Sequence, residues 1–156
     1  MKLSEVLPES AIRLDVDGLD KWALIEQLAD SLVESGQIAP EAREGVHAAL
    51  VARETSMSTG MESGLAIPHS SIELVDRTVV ALGIAREGLD FDAIDGKPTH
   101  LIMLLVNPAD RTKTHIRTLA EIARLLSSDE LRADLRSAET PHDALMRIRA
   151  AEAAVT

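Results

Sequence analysis

Two histidines of this sequence stand where their chemistry suits the transfer of a phosphoryl group. His69 follows a proline at the end of a short apolar segment, just beyond a loop of mostly small residues, 55–64. His115 opens a predicted helix behind Arg111 and Lys113, and the free N–H groups of a helix start favour an anion. A neutral imidazole is a nucleophile near physiological pH and can attack phosphorus without a strong base.

Taken singly, each of these histidines has an ordinary alternative. His69 could be a loop residue without a role, and His115 could be a helix-capping side chain. As a pair they suffice for a phosphohistidine site, because phosphoryl transfer needs mainly positioning and charge stabilisation. One imidazole would act as the nucleophile and the other as a hydrogen-bond donor, with an arginine and several hydroxyl groups offsetting the charge of the phosphate.

Other chemistries find less support in the sequence. His47 and His142 are predicted to be solvated, and His100, beside a buried strand, is predicted to be structural. The chain has no cysteine and no His-x-x-x-His spacing, so it predicts neither a metal site nor a cofactor. A Gly-x-Ser-x-Gly elbow and a P-loop are also absent, which argues against a serine hydrolase and against nucleotide hydrolysis.

Length and composition predict one globular domain, residues 1–156, in which apolar residues make up 46% and charged residues 27%. The net charge is −10, and its excess lies in residues 1–106, where 8 basic residues face 18 acidic ones. Such an acidic surface repels nucleic acid and anionic lipid. The apolar run 101–106 is too short for direct membrane insertion and residues 1–14 do not resemble a signal peptide, so we expect a cytoplasmic location.

Apolar periodicity predicts alternating helices and strands. Helices are expected over residues 20–35, 40–54, 112–126, 129–137 and from 140 onward, with Asp20 and Ser128 as the caps of the first and fourth. Strands are expected over 11–16, 65–67, 78–85 and 99–106, with a short one at 89–91. Nearly continuous apolar runs in two strands indicate a sheet that is covered on both faces. The prediction is an α/β fold, a small mixed β-sheet flanked by helices on both faces. The apolar stripes of two helices place Trp22 and Ile116 on buried sides.

Several segments resemble one protein family in order and spacing. Residues 58–69, STGMESGLAIPH, resemble the phosphorylation-site motif of the fructose/mannitol-type enzyme IIA proteins of the phosphotransferase system, and Arg53-Glu54 resembles a pair at the end of the family's preceding helix. The stretches 91–98 and 104–126 are similar to the nitrogen-regulatory, PtsN-like branch. The resemblance runs from about residue 3 to residue 148.

The resemblance implies a phosphotransferase component in which His69 accepts a phosphoryl group on Nε2 from an HPr-like carrier protein. By the same resemblance, His115 is the second active-site histidine, Arg53 is a cation close to the phosphate, and Ser58 and Thr59 are loop positions near it. No metal or organic cofactor is implied. The phosphoryl group would pass to a IIB component in sugar systems, whereas in the nitrogen branch the protein would regulate targets according to its phosphorylation state.

The sequence departs from the family pattern at two positions. Glu62 stands where glycine is usual, and Ser70 stands where glycine, alanine or cysteine is usual. At an effective dielectric constant of ~20, a like charge at ~6 Å from the phosphate would cost roughly 3 kcal/mol before screening. Three readings therefore remain open: a nitrogen-type regulatory enzyme IIA, a sugar-specific enzyme IIA that serves a IIB component, and a transfer-inactive docking module.

Overall fold

A mixed β-sheet lies at the centre of the computed structural model, which describes residues 2–154. Its strands are β1 (Ile12–Arg13), β2 (Leu65–Ala66), β3 (His69–Ile72), β4 (Val79–Leu89) and β5 (Thr99–Pro108). The order is β1-β4-β5-β2, and β3 continues the edge beyond β2 by pairing with β5. The long central pair β4–β5 is antiparallel, whereas β1, β2 and β3 each run parallel to their neighbour.

Helices cover both faces of this sheet, as predicted. They are α1 (Leu3–Val6), α2 (Lys21–Glu34), α3 (Arg43–Ser56), α4 (Thr112–Leu126), α5 (Asp129–Arg136) and α6 (Pro141–Ala154). Helices α2 and α3 contact β4 and β3, while α5 and α6 contact the strands β4, β5 and β1. The predicted caps are present: Asp20 accepts from the backbone N–H of Ala23 at 2.8 Å, and Ser128 accepts from that of Leu131 at 3.2 Å.

The hydrophobic core explains why β4 and β5 are apolar at successive positions. Residues 79–85 and 101–108 are buried throughout, because a strand between two helical layers has no solvent-facing side. Phe91, one of the two aromatic residues, is also fully buried. Buried leucine, isoleucine and valine side chains supply most of the remaining core, as the composition requires.

Several predicted element boundaries change in the structure, and three of the larger changes concern strands. The strand expected over 11–16 shrinks to Ile12–Arg13 and follows a 3-10 turn, Glu9–Ala11. The short strand expected at 89–91 is instead the end of β4, which reaches Leu89 through an irregularity after Ile84. His69, expected just beyond a strand that stops at Pro68, is itself the first residue of β3 and is paired with Leu105.

The buried faces of two helices also differ from the prediction. Trp22 is 42% exposed, and its neighbour Lys21 is buried because ion pairs with Glu54 and Asp92 compensate its charge. Ile116 is 62% exposed, and α4 buries Thr118, Ile122 and Leu126 instead. Thr118 tolerates burial because its hydroxyl donates to the backbone carbonyl of Thr114 at 2.8 Å.

Membrane insertion was not expected from the apolar run lengths. Across residues 2–154, the helices all fall short of the length and apolar character that crossing a bilayer would require.

We predict that Gly60→Ala destabilises the fold by about 1–3 kcal/mol. A Cβ at position 60 would lie 2.6 Å from the carbonyl oxygen of Phe91 and 2.9 Å from Cα of Ala93, and neither backbone atom can swing aside. Urea unfolding followed by circular dichroism measures the free energy of unfolding.

Gly45→Ala is the matched control for this substitution. Its Cβ would meet only the end of the exposed Leu74 side chain, which can rotate away, and alanine is preferred to glycine within a helix by up to about 1 kcal/mol. We expect Gly45→Ala to be neutral or stabilising. Equal urea midpoints for Gly60→Ala and the wild type would contradict the close approach of residues 60 and 91.

Candidate functional site

The edge strand fixes the protonation pattern of His69. Its Nδ1 lies 2.7 Å from the carbonyl oxygen of Ile67. A carbonyl oxygen can only accept a hydrogen bond, so Nδ1 must carry the hydrogen. In the neutral ring the lone pair is then on Nε2, which makes Nε2 the nucleophilic atom. The side chain is partly exposed, so a reacting group can approach it.

His115 lies in the first turn of α4, next to His69. The centroids of the two imidazole rings are 5.3 Å apart, and the ring planes are inclined by 45°. The end of β5 and the short turn to α4 bring His115 to this position, because His69 is paired with Leu105 near that end of β5. A phosphoryl group bonded to one ring at this spacing is within reach of the other.

One polar residue of the sheet contacts His115, and a second polar residue bonds to the first. The amide Nδ2 of Asn107 contacts Nδ1 of His115, and the hydroxyl of Thr78 donates to Oδ1 of Asn107. Asn107 is fully buried. Neither Asn107 nor Thr78 is among the site residues predicted from the sequence. A usable signal for Asn107 was its place as the first polar residue after the apolar run 101–106, since side chains at the carboxyl ends of strands often form sites.

The surroundings of His115 favour its neutral form. Burial is the main cause of a lowered pKa for this histidine, and the nearby His69 lowers it further by charge repulsion. A neutral His115 has one N–H donor and one lone pair, so which nitrogen carries the hydrogen decides what the ring presents to a phosphate.

The three other predicted site residues already make hydrogen bonds within the protein. Arg53 donates through Nη1 to the carbonyl oxygen of Met57 at 2.9 Å. Ser58 donates to the carbonyl oxygen of Phe91 at 2.7 Å, and the hydroxyl of Thr59 donates to Glu54 at 2.5 Å. These bonds shape the loop between α3 and β2. Phosphate contacts by Arg53, Ser58 and Thr59 stay a prediction.

Buried Glu54 anchors the start of this loop. Its carboxylate accepts from the backbone N–H of Thr59 at 2.8 Å and from Nζ of Lys21 at 3.0 Å. Burial by itself lowers the pKa of Lys21, but hydrogen bonds and charge attraction from Asp92 and Glu54 outweigh it and raise the pKa above its usual value. Helix α2, helix α3 and the loop are thereby linked through one ion-pair network.

The two departures from the family pattern cause no backbone strain. Glu62 is exposed, and the positive φ angles of this loop fall on its neighbours Ser63 (64°) and Gly64 (77°). Ser70 is an ordinary residue of β3 and is paired with Val106. Among residues 2–154, no cluster of three histidine, cysteine or acidic side chains could hold a metal ion.

Comparison with known proteins places this chain in a family. Residues 5–151 match the family model described as "Phosphoenolpyruvate-dependent sugar phosphotransferase system, EIIA 2". The chain therefore belongs to this enzyme IIA family, whose members are components of a phosphotransferase system. The predicted resemblance and the predicted fold class are both confirmed.

Relatives from both branches of the family are similar to this chain. It is 32% identical over 146 residues to the nitrogen regulatory protein of Escherichia coli (strain K12), covering 92% of this chain and 86% of that protein. It is 30% identical over 148 residues to the PTS system fructose-specific EIIABC component of Bacillus subtilis (strain 168), covering 95% of this chain but 23% of that longer protein. The crystal structure of nitrogen regulatory protein IIA-Ntr from Neisseria meningitidis superposes with a TM-score of 0.83 at 32% identity, covering 94% of this chain and 98% of that one.

We predict that His115 titrates below the usual histidine value of about 6.5. NMR titration of the ring signals measures the midpoint. In His69→Ala the midpoint should rise, because one source of repulsion is gone, yet stay below that value, because burial is the larger cause. A wild-type midpoint at or above the usual value would contradict the burial of this ring.

The lowered pKa of His115 also determines how this residue makes the stability of the fold depend on pH. The unfolded chain binds the proton of His115 at a higher pH than the folded chain does. The contribution of His115 to the free energy of unfolding is therefore complete above the unfolded-state pKa, and it is lost as the pH falls through the folded-state pKa.

Proposed function

We propose that this protein carries a phosphoryl group on Nε2 of His69 and receives it from the phosphohistidine of an HPr-like carrier protein. The observation that carries the proposal is the arrangement of His69, whose Nδ1 is bonded to the carbonyl oxygen of Ile67 and whose ring centroid is 5.3 Å from that of His115. A partly exposed imidazole with a lone pair on Nε2 is what phosphoryl acceptance requires.

The transfer balances without a separate base. The bond from the donor nitrogen to phosphorus breaks, and its electron pair stays on the donor ring, while the lone pair of Nε2 of His69 forms the new bond to phosphorus. The hydrogen on Nδ1 remains in place, and the carbonyl oxygen of Ile67 stabilises the positive charge that develops on the phosphorylated ring.

In this proposal His115 stabilises the transferring group as a hydrogen-bond donor. The lowered pKa keeps its ring neutral, so it adds an N–H donor rather than a second permanent charge. Arg53 and Ser58 would bind the phosphate oxygens after exchanging their present hydrogen bonds. Thr59 would do so at a greater cost, because its hydroxyl donates to buried Glu54. No metal or cofactor takes part in these steps.

Two biological roles share this chemistry. We favour a nitrogen-type regulatory enzyme IIA, located in the cytoplasm, that binds target proteins according to its phosphorylation state. The match to the nitrogen regulatory protein of E. coli over most of both chains supports it. The match to a fructose-specific protein supports the alternative, a sugar-specific enzyme IIA that passes the phosphoryl group to a IIB component.

We predict that incubation with a phosphorylated HPr-type carrier adds the mass of one phosphoryl group to the wild-type protein and none to His69→Ala. Intact-protein mass spectrometry measures the change. His142→Ala is the matched control, since this exposed histidine lies in α6 and pairs with Glu9. A wild-type chain that stays unmodified beside a competent donor would support the docking-module reading instead.

His115→Ala should slow the transfer by roughly 10²-fold, the usual effect of removing one donor from a site that stabilises developing charge. Rapid-quench measurement of the phosphorylated fraction gives the rate, and circular dichroism checks that the fold persists. An unchanged rate would mean that His115 has no part in the transfer.

The two roles differ in the fate of the phosphoryl group. Mixing the phosphorylated protein with a fructose-type IIB protein tests this directly. Rapid loss of the phosphoryl group from His69 to the IIB protein would favour sugar uptake, whereas retention beside an active IIB protein would favour regulation.

A further inference from the structure

We propose that Asn107, held in place by Thr78, is a positioning residue that fixes the hydrogen of His115 on Nε2 and so directs an N–H donor to the phosphoryl group. The inference rests on the proposed role of His69 as phosphoryl acceptor, and it concerns residues outside the set expected from the sequence. Asn107 would act through His115 and need not touch the phosphate itself.

The hydrogen bonds around Asn107 set the direction of donation. In the structure the hydroxyl of Thr78 donates to Oδ1 of Asn107, and the amide presents its NH₂ group to His115. An amide nitrogen can only donate, so Nδ1 of His115 must accept and carries the lone pair. The hydrogen of the neutral ring then lies on Nε2.

The sheet holds this arrangement firmly. Thr78 directly precedes β4 and Asn107 lies in β5, where the neighbouring pair Val79 and Val106 is in register. Asn107 is fully buried, and a buried amide without partners would cost about 1–3 kcal/mol. Both ends of the Asn107 amide are bonded in this orientation, Oδ1 to the hydroxyl of Thr78 and Nδ2 to His115.

The two histidines are thus held in opposite tautomers. His69 keeps its hydrogen on Nδ1, bonded to Ile67, and presents a lone pair on Nε2. His115 keeps its lone pair on Nδ1, bonded to Asn107, and presents an N–H on Nε2. One ring supplies the nucleophile and the other supplies the donor, which is the combination that phosphoryl transfer needs. In the other tautomer, His115 would turn a lone pair towards the negative oxygens.

The tautomer can be read directly by NMR on the full chain labelled with ¹⁵N-histidine. The nitrogen shifts and couplings of His115 show which ring nitrogen carries the hydrogen, and we expect Nε2 in the wild type. Thr78→Val keeps the shape of the side chain but removes the hydroxyl. It should produce a mixture of tautomers at His115 and slow phosphorylation by an HPr-type donor by about 10-fold, a usual loss when a residue that orients a functional histidine is altered.

Two comparisons separate positioning from a merely structural role. Thr78→Ser restores the hydroxyl and should restore both the Nε2-bound hydrogen and the rate. Asn107→Leu should lose the preference for Nε2 while the Nδ1–H signal of His69 stays unchanged, which shows that the rest of the site is folded. A hydrogen on Nδ1 of His115 in the wild type would overturn the proposal, and so would Thr78→Val with wild-type tautomer and rate.

The tautomer measurement needs no phosphoryl donor, so the two proposals can fail separately. A wild-type chain with the expected tautomers that takes up no phosphate would refute the proposed function and the role of Asn107 in transfer, while the tautomer assignment would stand. A phosphorylated wild-type chain with the wrong tautomer would refute only the role of Asn107.

Discussion

The hydrogen bond from Nδ1 of His69 to the carbonyl oxygen of Ile67 is the contact on which the rest of the site depends. Backbone groups alternate in direction along an extended segment. The carbonyl of Pro68 points to β5 and accepts from Leu105 at 2.9 Å, whereas the N–H of Ile67 points outward and donates to Thr59 at 3.3 Å. The carbonyl of Ile67 is therefore free of the sheet ladder and can hold the imidazole. The break in the sheet edge between β2 and β3 thus leaves Nε2 of His69 as the nitrogen that reacts.

The loop before this strand is stabilised by neutral and ionic bonds that a phosphate could replace. Ser58 donates to a backbone carbonyl, a neutral bond that contributes about 1 kcal/mol, and Arg53 donates to another carbonyl from an exposed position. Hydrogen bonds to a charged phosphate are roughly twice as strong. Exchange of these partners would be favourable once the phosphoryl group is in place. The bond from Thr59 to buried Glu54 is different, since breaking it would leave a buried carboxylate with one donor fewer.

Sequence patterns predicted the parts of the fold that local physics decides. The bounds of α4 and the caps Asp20 and Ser128 follow from spacing and capping chemistry, and the structure has them as predicted. The exposure of Trp22 was not predictable in this way. Its neighbour Lys21 is buried by ion pairs with Glu54 and Asp92, which are distant in sequence and do not enter a hydrophobic periodicity. The approach of the two histidines also depends on strand register, which no local pattern contains. The chemistry of the two residues suggested them as a pair, and the family resemblance supported it.

The spacing of the two imidazoles limits the charge that the unphosphorylated site can carry. Two positive rings at 5.3 Å would repel each other by roughly 3 kcal/mol at an effective dielectric constant of ~20. Together with burial, this repulsion keeps His115 neutral. A phosphoryl group on His69 reverses the sign of the electrostatic effect of residue 69 on His115, because its negative oxygens attract a proton to the neighbouring ring. The fixed tautomer of His115 therefore matters most at the moment of transfer, when the ring is still neutral and has one hydrogen to donate.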